Sequence, residues 1–219
     1  MDVIARFHSP LTSKFGVPRQ SGLAPALAGR IVFEPEYRNE DSVRGLEDFD
    51  YVWLIWQFSA NAGKWSFTVR PPRLGGNRRV GVFASRSPFR PNGLGLSCVR
   101  INNIEYGGSE GPVIHVLGAD LMDQTPILDV KPYVAYADSH PDARSGFVDS
   151  KEWEELQVVI PQRICEQLGN DGAEALRQVL AQDPRPQYHD DEERIYGMPF
   201  AGRDVHFRVK GGVAEVLDV

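Results

Sequence analysis

The chain has 219 residues, with 24 Lys and Arg against 30 Asp and Glu, a formal charge of −6. This length suits one large β domain or one domain with a small appendage, and the net acidity excludes a protein that coats nucleic acid by overall basic charge, though not one with a local basic groove. With 42% hydrophobic residues, 21 Gly and 16 Pro, the chain can bury a sizeable core, needs many turns, and lies outside disordered composition.

In chain order, the first strand is read at residues 3–8, where Val3, Ala5 and Phe7 alternate with Ile4, Arg6 and His8. Nothing there resembles a basic region followed by an apolar core, so no export signal is expected. Pro18-Arg19-Gln20-Ser21-Gly22 is a polar loop, and Gln20 offers a donor and an acceptor that could read an amide or a purine edge, or simply face solvent. A strand around Ile31 and Phe33 follows. Val43, Leu46 and Phe49 stand at helical spacing behind Asp41, a possible N-cap. The apolar and aromatic run at 51–58 predicts a central strand covered on both faces. It is too short to span a bilayer, and no other stretch is longer, so no membrane span is expected.

Further strands are read at 65–69, 80–84, 94–106, 112–118 and 127–134, each bounded by Gly, Pro, Asn or Asp. Six or seven short strands at close spacing predict a closed or nearly closed barrel, and strands alternating with long helices are absent. Composition changes in a linker at 138–146. After it come a strand at 156–160, helices at 161–168 and 172–181 separated by Gly169, and a hairpin turning at 210–212. The expected organisation is mainly β, a barrel domain at 1–140 and a small α/β domain at 147–219. Cys98 and Cys165 are read as buried thiols of a reducing, cytoplasmic compartment. Two cysteines and five scattered histidines point to no metal site.

The least ordinary stretch is 70–90. It holds Arg70, Arg73, Arg78, Arg79, Arg86 and Arg90, with no acidic residue and no lysine. Arginine presents a planar fork that grips phosphate or carboxylate at two points and stacks on bases. Set among prolines and glycines, these residues suit shaped loops that bind an anionic ligand, or a ring of structural arginines tied to carbonyls. Asp120-Leu-Met-Asp123-Gln124-Thr125-Pro126 is a strand-end loop with two carboxylates, fit for proton transfer, for a ribose diol, or for capping turns. Asp129 and Lys131 could pair. No P-loop, Gly-x-Ser-x-Gly elbow or complete dinucleotide fingerprint occurs.

Pro18-Arg-Gln-Ser-Gly22, Val69-Arg-Pro-Pro-Arg-Leu-Gly-Gly-Asn77, Gly81-Val-Phe-Ala-Ser-Arg-Ser-Pro-Phe-Arg-Pro-Asn92, Asp123-Gln-Thr-Pro-Ile-Leu-Asp-Val-Lys-Pro-Tyr133 and Leu180-Ala-Gln-Asp-Pro-Arg-Pro186 resemble the TrmO family over essentially the whole chain. The resemblance implies a single-sheet β-barrel that binds S-adenosylmethionine, forms a homodimer and methylates N6 of threonylcarbamoyladenosine, beside the anticodon of threonine tRNA. It places Gln20, Ser21, Gly22, Ser59, Ala60, Arg86, Leu96, Gly118, Asp123, Gln124, Thr125 and Pro126 at the cofactor, and offers Asp123 as proton acceptor. Arg70, Arg73, Arg78, Arg79 and Arg90 are left for RNA phosphates. Three positions depart from the family pattern: the Ser59-Ala60 pair, Gln124 where glycine is common, and Gly93 where proline is usual. The competing expectations are a non-catalytic RNA-binding barrel and a methyltransferase for another nucleoside.

Overall fold

A computed structural model describes residues 1–61, 63–74, 78–150, 154–186 and 191–219, Arg73 by its backbone alone. The first portion holds β1 (Ala5–His8), β2 (Ala28–Phe33), β3 (Tyr51–Gln57), β4 (Thr68–Val69), β5 (Val80–Gly81), β6 (Leu94–Gly108), β7 (Gly111–Leu117) and β8 (Thr125–Pro132). Among the described residues, six of these close into an antiparallel barrel in the order β1-β2-β7-β6-β3-β8, with β1 and β8 sealing the ring. Alternation drives closure: Val52, Leu54 and Trp56 of β3 point inward, while Tyr51, Trp53 and Ile55 point outward. The interior fills with Phe7, Ile31, Leu54, Val99, Ile114 and Ile127.

Four local expectations are corrected. The 51–58 run is not covered on both faces, because a barrel strand has one inner side. Its outer rings are shielded partly by Tyr133, and Trp53 Nε1 donates to Asp138 at 3.0 Å. The 41–49 stretch forms two 3₁₀ turns, Glu40–Val43 and Leu46–Asp48, rather than a helix. Gly45, at φ 83°, breaks the run, and Asn39 is the cap, accepting from the Asp41 amide. The strands at 65–69 and 80–84 shrink to the two-residue β4 and β5, with Val82–Ala84 curling into a 3₁₀ turn. Cys98 and Cys165 are half-buried.

A short helix, α1 (Ala135–Asp138), leads out of the barrel, and a 3₁₀ turn forms at Gly146–Ser150, starting at the last residue of the expected linker. The remainder holds β9 (Gln157–Val159), α2 (Gln162–Ala181), β10 (Tyr196–Phe200), β11 (Arg203–Lys210) and β12 (Val213–Asp218). The helical path breaks at Gly169, whose φ of 71° is left-handed, so the residues read as two helices meet at a kink. The strands form a sheet in the order β10-β11-β12-β9. The sequence reading does not contain β10.

The second core does not belong to the C-terminal residues alone. Leu11, Ala24 and Leu27, from the loop between β1 and β2, pack among Leu176, Val179, Leu180, Met198 and Phe207. That loop crosses from one core to the other on its way from β1 to β2.

Candidate active site at the barrel mouth

Antiparallel order brings the end of β1, the start of β2, the end of β3, the start of β6, the end of β7 and the start of β8 to one rim. A cavity of about 780 Å³ opens there, within the usual range for a small-molecule site. Its floor is apolar: Trp56 and Phe58 meet edge to face at 4.3 Å, and Leu96 stands in the wall half exposed. Gly95 faces Trp56 across β3 and β6, and a Cβ there would lie 2.2 Å from Trp56 Cε2. Only glycine lets the indole lie flat at this point.

The polar groups converge from three loops. Arg86 Nη1 donates to Gln20 Oε1 at 2.5 Å, joining the arginine-rich segment to the first loop. Trp56 Nε1 donates to Ser97 Oγ at 2.9 Å, and Ser97 Oγ donates to Asp120 Oδ1 at 2.5 Å. Burial pushes the Asp120 carboxyl above its ordinary range, while Ser97, its own and the Ser21 backbone amides, and the Arg86 charge pull the other way. A carboxylate held inside a cavity by donors and opposed by desolvation is the arrangement that proton-transfer sites use.

The structure gathers part of the expected cofactor set. Gln20, Ser59, Ala60, Arg86, Leu96 and Thr125 line the cavity. Ser21 is not part of the wall, and its backbone amide acts on the Asp120 carboxyl. Gly22 and Gly118 sit behind the wall, where Gly22 N donates to Gly118 O at 2.8 Å and Gly118 N to Leu27 O at 2.9 Å. Asp123, Gln124 and Pro126 are not part of the wall. Pro126 is buried opposite Arg6 in the β1–β8 pairing.

Asp123 turns away from the mouth. Its carboxylate accepts from Ser9 N at 3.0 Å, lies 3.7 Å from His8 Nδ1, and borders a separate cavity with Arg30 and His115. The reason is local: Gln124 adopts φ 63°, in the left-handed region, so the chain pivots between 123 and 125. Thr125 then faces the cavity while Asp123 faces outward. The acid on the cavity wall is Asp120, which the sequence flags only as one of two carboxylates. Trp56, Phe58 and Phe83 are further wall residues that the sequence reading assigned to no site.

The arginines divide. Arg90 lines the cavity, but its Nη1 braces the loop on Ser85 O at 2.9 Å and Ser87 O at 3.4 Å. Arg79 Nη1 donates to Thr68 Oγ1 at 2.8 Å, and Arg70 and Arg78 are exposed. The Arg73 side chain and residues 75–77 lie outside the described residues. Asp129 and Lys131 pair at 2.9 Å away from the cavity wall.

The first loop is held from below. Arg19 Nη2 donates to Asp183 O at 3.2 Å, and Asp183 is gripped at two points by Arg185, at 2.8 and 2.9 Å. Lys14 Nζ donates to Ala60 O at 2.7 Å, tying the same loop to the end of β3. Among the described residues, no helix is long and apolar enough to cross a membrane.

Comparison with known proteins shows the family. The model of the tRNA-methyltransferase O N-terminal domain matches residues 6–139, and that of the TrmO C-terminal domain matches 154–219. The chain is 41% identical to a putative S-adenosylmethionine-dependent methyltransferase of Pseudomonas aeruginosa, over 99% of this chain and 95% of that one. It is 40% identical to a tRNA (adenine(37)-N6)-methyltransferase of Escherichia coli, over 98% and 94%. A crystal structure of TrmO from Pseudomonas aeruginosa superposes with TM-score 0.78 at 34% identity, covering 99% of this chain and 95% of that one. The chain belongs to the TrmO family.

Proposed function

We propose that this TrmO-family chain is a tRNA methyltransferase that transfers a methyl group from S-adenosylmethionine to N6 of threonylcarbamoyladenosine, next to the anticodon of threonine tRNA, as a cytoplasmic homodimer. The observation that carries the reading is the barrel-mouth cavity, lined by the buried carboxylate of Asp120, by Arg86 joined to Gln20, and by aromatic walls. The names of the relatives supply the donor and the position of the base, and the family resemblance supplies the threonylcarbamoyl group, the tRNA identity and the dimer.

The residues present fit the donor. About 780 Å³ accommodates a molecule of nucleoside-plus-amino-acid size. Arg86 and Gln20, already joined, offer donors to an amino-acid carboxylate, and Trp56, Phe58 and Leu96 offer apolar surface to a nucleoside. When bound, the donor supplies a methyl group on a sulfonium, activated for direct displacement. The chain's task is then alignment, which supplies up to roughly 7–11 kcal/mol of a barrier.

The target nitrogen carries a hydrogen, and its lone pair is shared with the purine ring and the carbamoyl group. Bond formation from nitrogen to carbon must therefore be matched by loss of that proton. Asp120 takes it: its carboxylate lines the cavity, whereas Asp123 lies beyond the wall. Ser97 and the Ser21 amide hold the carboxylate in place.

The test is to incubate the purified chain and donor with threonine tRNA carrying threonylcarbamoyladenosine, or plain adenosine, beside the anticodon. Nucleosides are then read by mass spectrometry. Methylation of the first alone is expected. Methylation of plain adenosine overturns the substrate assignment and leaves the coarser activity; no methylation of either overturns the reading, and calorimetry then tells whether the donor still binds.

A further inference from the structure

The segment that overhangs the cavity exposes more aromatic surface than a solvated loop needs. Trp65, Phe67, Phe83 and Phe89 are 50%, 78%, 79% and 40% exposed. They share one small scaffold. Thr68 pairs with Gly81 and Val69 with Val80, Val82 N donates to Phe67 O at 2.9 Å, and Ser66 N donates to Phe89 O at 3.2 Å. Trp65 and Phe67 contact edge to face at 4.7 Å, and Phe83 forms part of the cavity wall. A ribbon of two-residue strands has no core of its own in which to bury these rings.

Charge narrows what could cover them. No Asp or Glu occurs between Asp50 and Glu105, while Arg70, Arg78, Arg79, Arg86 and Arg90 lie on or beside the ribbon. An apolar protein surface would match the rings but leave the guanidinium groups against nothing. Unpaired nucleotides match both, because every base has a face to stack and every linkage carries a negative charge.

We propose that the ribbon of β4 and β5, with Trp65, Phe67 and Phe83, is a base-stacking platform for the unpaired nucleotides that flank the target adenosine. Phe83, at the cavity wall, takes the base adjacent to the target, and the Trp65–Phe67 pair takes a base further along the loop. The exposed Arg70 and Arg78 hold the intervening phosphates. This rests on the proposed tRNA reaction and adds how the target is separated from its neighbours: they are stacked outside, so that one base enters the cavity.

The experiment measures binding of an anticodon stem-loop of threonine tRNA to the full chain and to Phe67→Ala, Phe67→Tyr, Phe83→Ala and Arg78→Ala at several salt concentrations. Donor affinity and sedimentation are followed in parallel. Phe67→Ala and Phe83→Ala are each expected to weaken RNA binding roughly 5- to 150-fold, the range measured for losing one stacked base. Their salt slope stays that of the wild type, since no cation is lost, and Phe67→Tyr restores affinity. Arg78→Ala instead flattens the slope by about one charge. The platform is overturned if both alanine variants bind the stem-loop as the wild type does. It is also overturned if Phe67→Ala dissociates a dimer with no direct effect on RNA, which makes the rings a contact between two copies of the chain. If the wild type neither binds nor methylates the stem-loop, the tRNA reading itself falls and takes the platform with it.

Discussion

Asp120 and Asp123 lie three positions apart and meet opposite surroundings. Asp120 is enclosed at the cavity with Ser97 and the Ser21 amide as donors, and Asp123 caps Ser9 beside His8. Sequence alone could place both acids on a strand-end loop. It could not tell which faced inward, because that depends on the left-handed turn at Gln124, a conformation that residue type does not announce. Asp120→Asn is expected to lower turnover by about 10²- to 10⁴-fold, the usual worth of a general base, and Asp123→Asn at least tenfold less, in single-turnover assays with saturating donor. The acid limb of the wild-type rate profile should lie above the ordinary carboxylate range, since burial raises this group and it must be ionised to accept a proton. Arg86→Gln removes a charge that holds Asp120 down, so the limb should move to higher pH. In stability the sign is opposite to that of a salt-bridged acid: the folded form prefers Asp120 protonated. That contribution is present below the unfolded carboxyl value and lost as pH rises through the raised one. Thermal melts of Asp120→Asn should lack this loss.

Among the strands, the barrel was legible because its signal is local. Alternating apolar residues bounded by turn formers mark each segment, and the number and spacing of segments favour closure over an open sheet. The ribbon was less legible. Trp65, Phe67 and Val80 read as strand residues, yet β4 and β5 stop after two residues each because prolines and glycines crowd the ends. The β3–β6 pairing shows how tightly an element can limit a site. Trp56 lies over Gly95, so Gly95→Ala should displace the indole, lower stability by about 1–3 kcal/mol as overpacking does, and weaken donor binding, read by denaturant melts and calorimetry. Unchanged donor affinity in a destabilised Gly95→Ala would separate the indole from the binding wall.

For the chain as a whole, the C-terminal sheet does more than follow the barrel. It shares its core with Leu11 and Leu27, which are 0% and 2% exposed, and Asp183, just after α2, anchors Arg19 one residue before Gln20. Removing residues 147–219 should therefore leave a barrel that aggregates, since each uncovered leucine forfeits about 1.5–3 kcal/mol of burial. A soluble, monomeric fragment with wild-type donor affinity, judged by light scattering and calorimetry, would contradict this dependence. The order of residues was enough to mark a small β-barrel, a C-terminal unit, an acid-free arginine segment and the family it resembles, because periodicity, turn chemistry and motif spacing are written between near neighbours. Which of two acids enters the cavity turned on the backbone pivot at Gln124, and which arginines brace loops turned on how those loops fold back on themselves; which core receives the first loop depended on packing between segments more than a hundred residues apart, such as Arg19 on Asp183. Burial and charge at a site are sums over distant neighbours, and no short stretch of chain contains them.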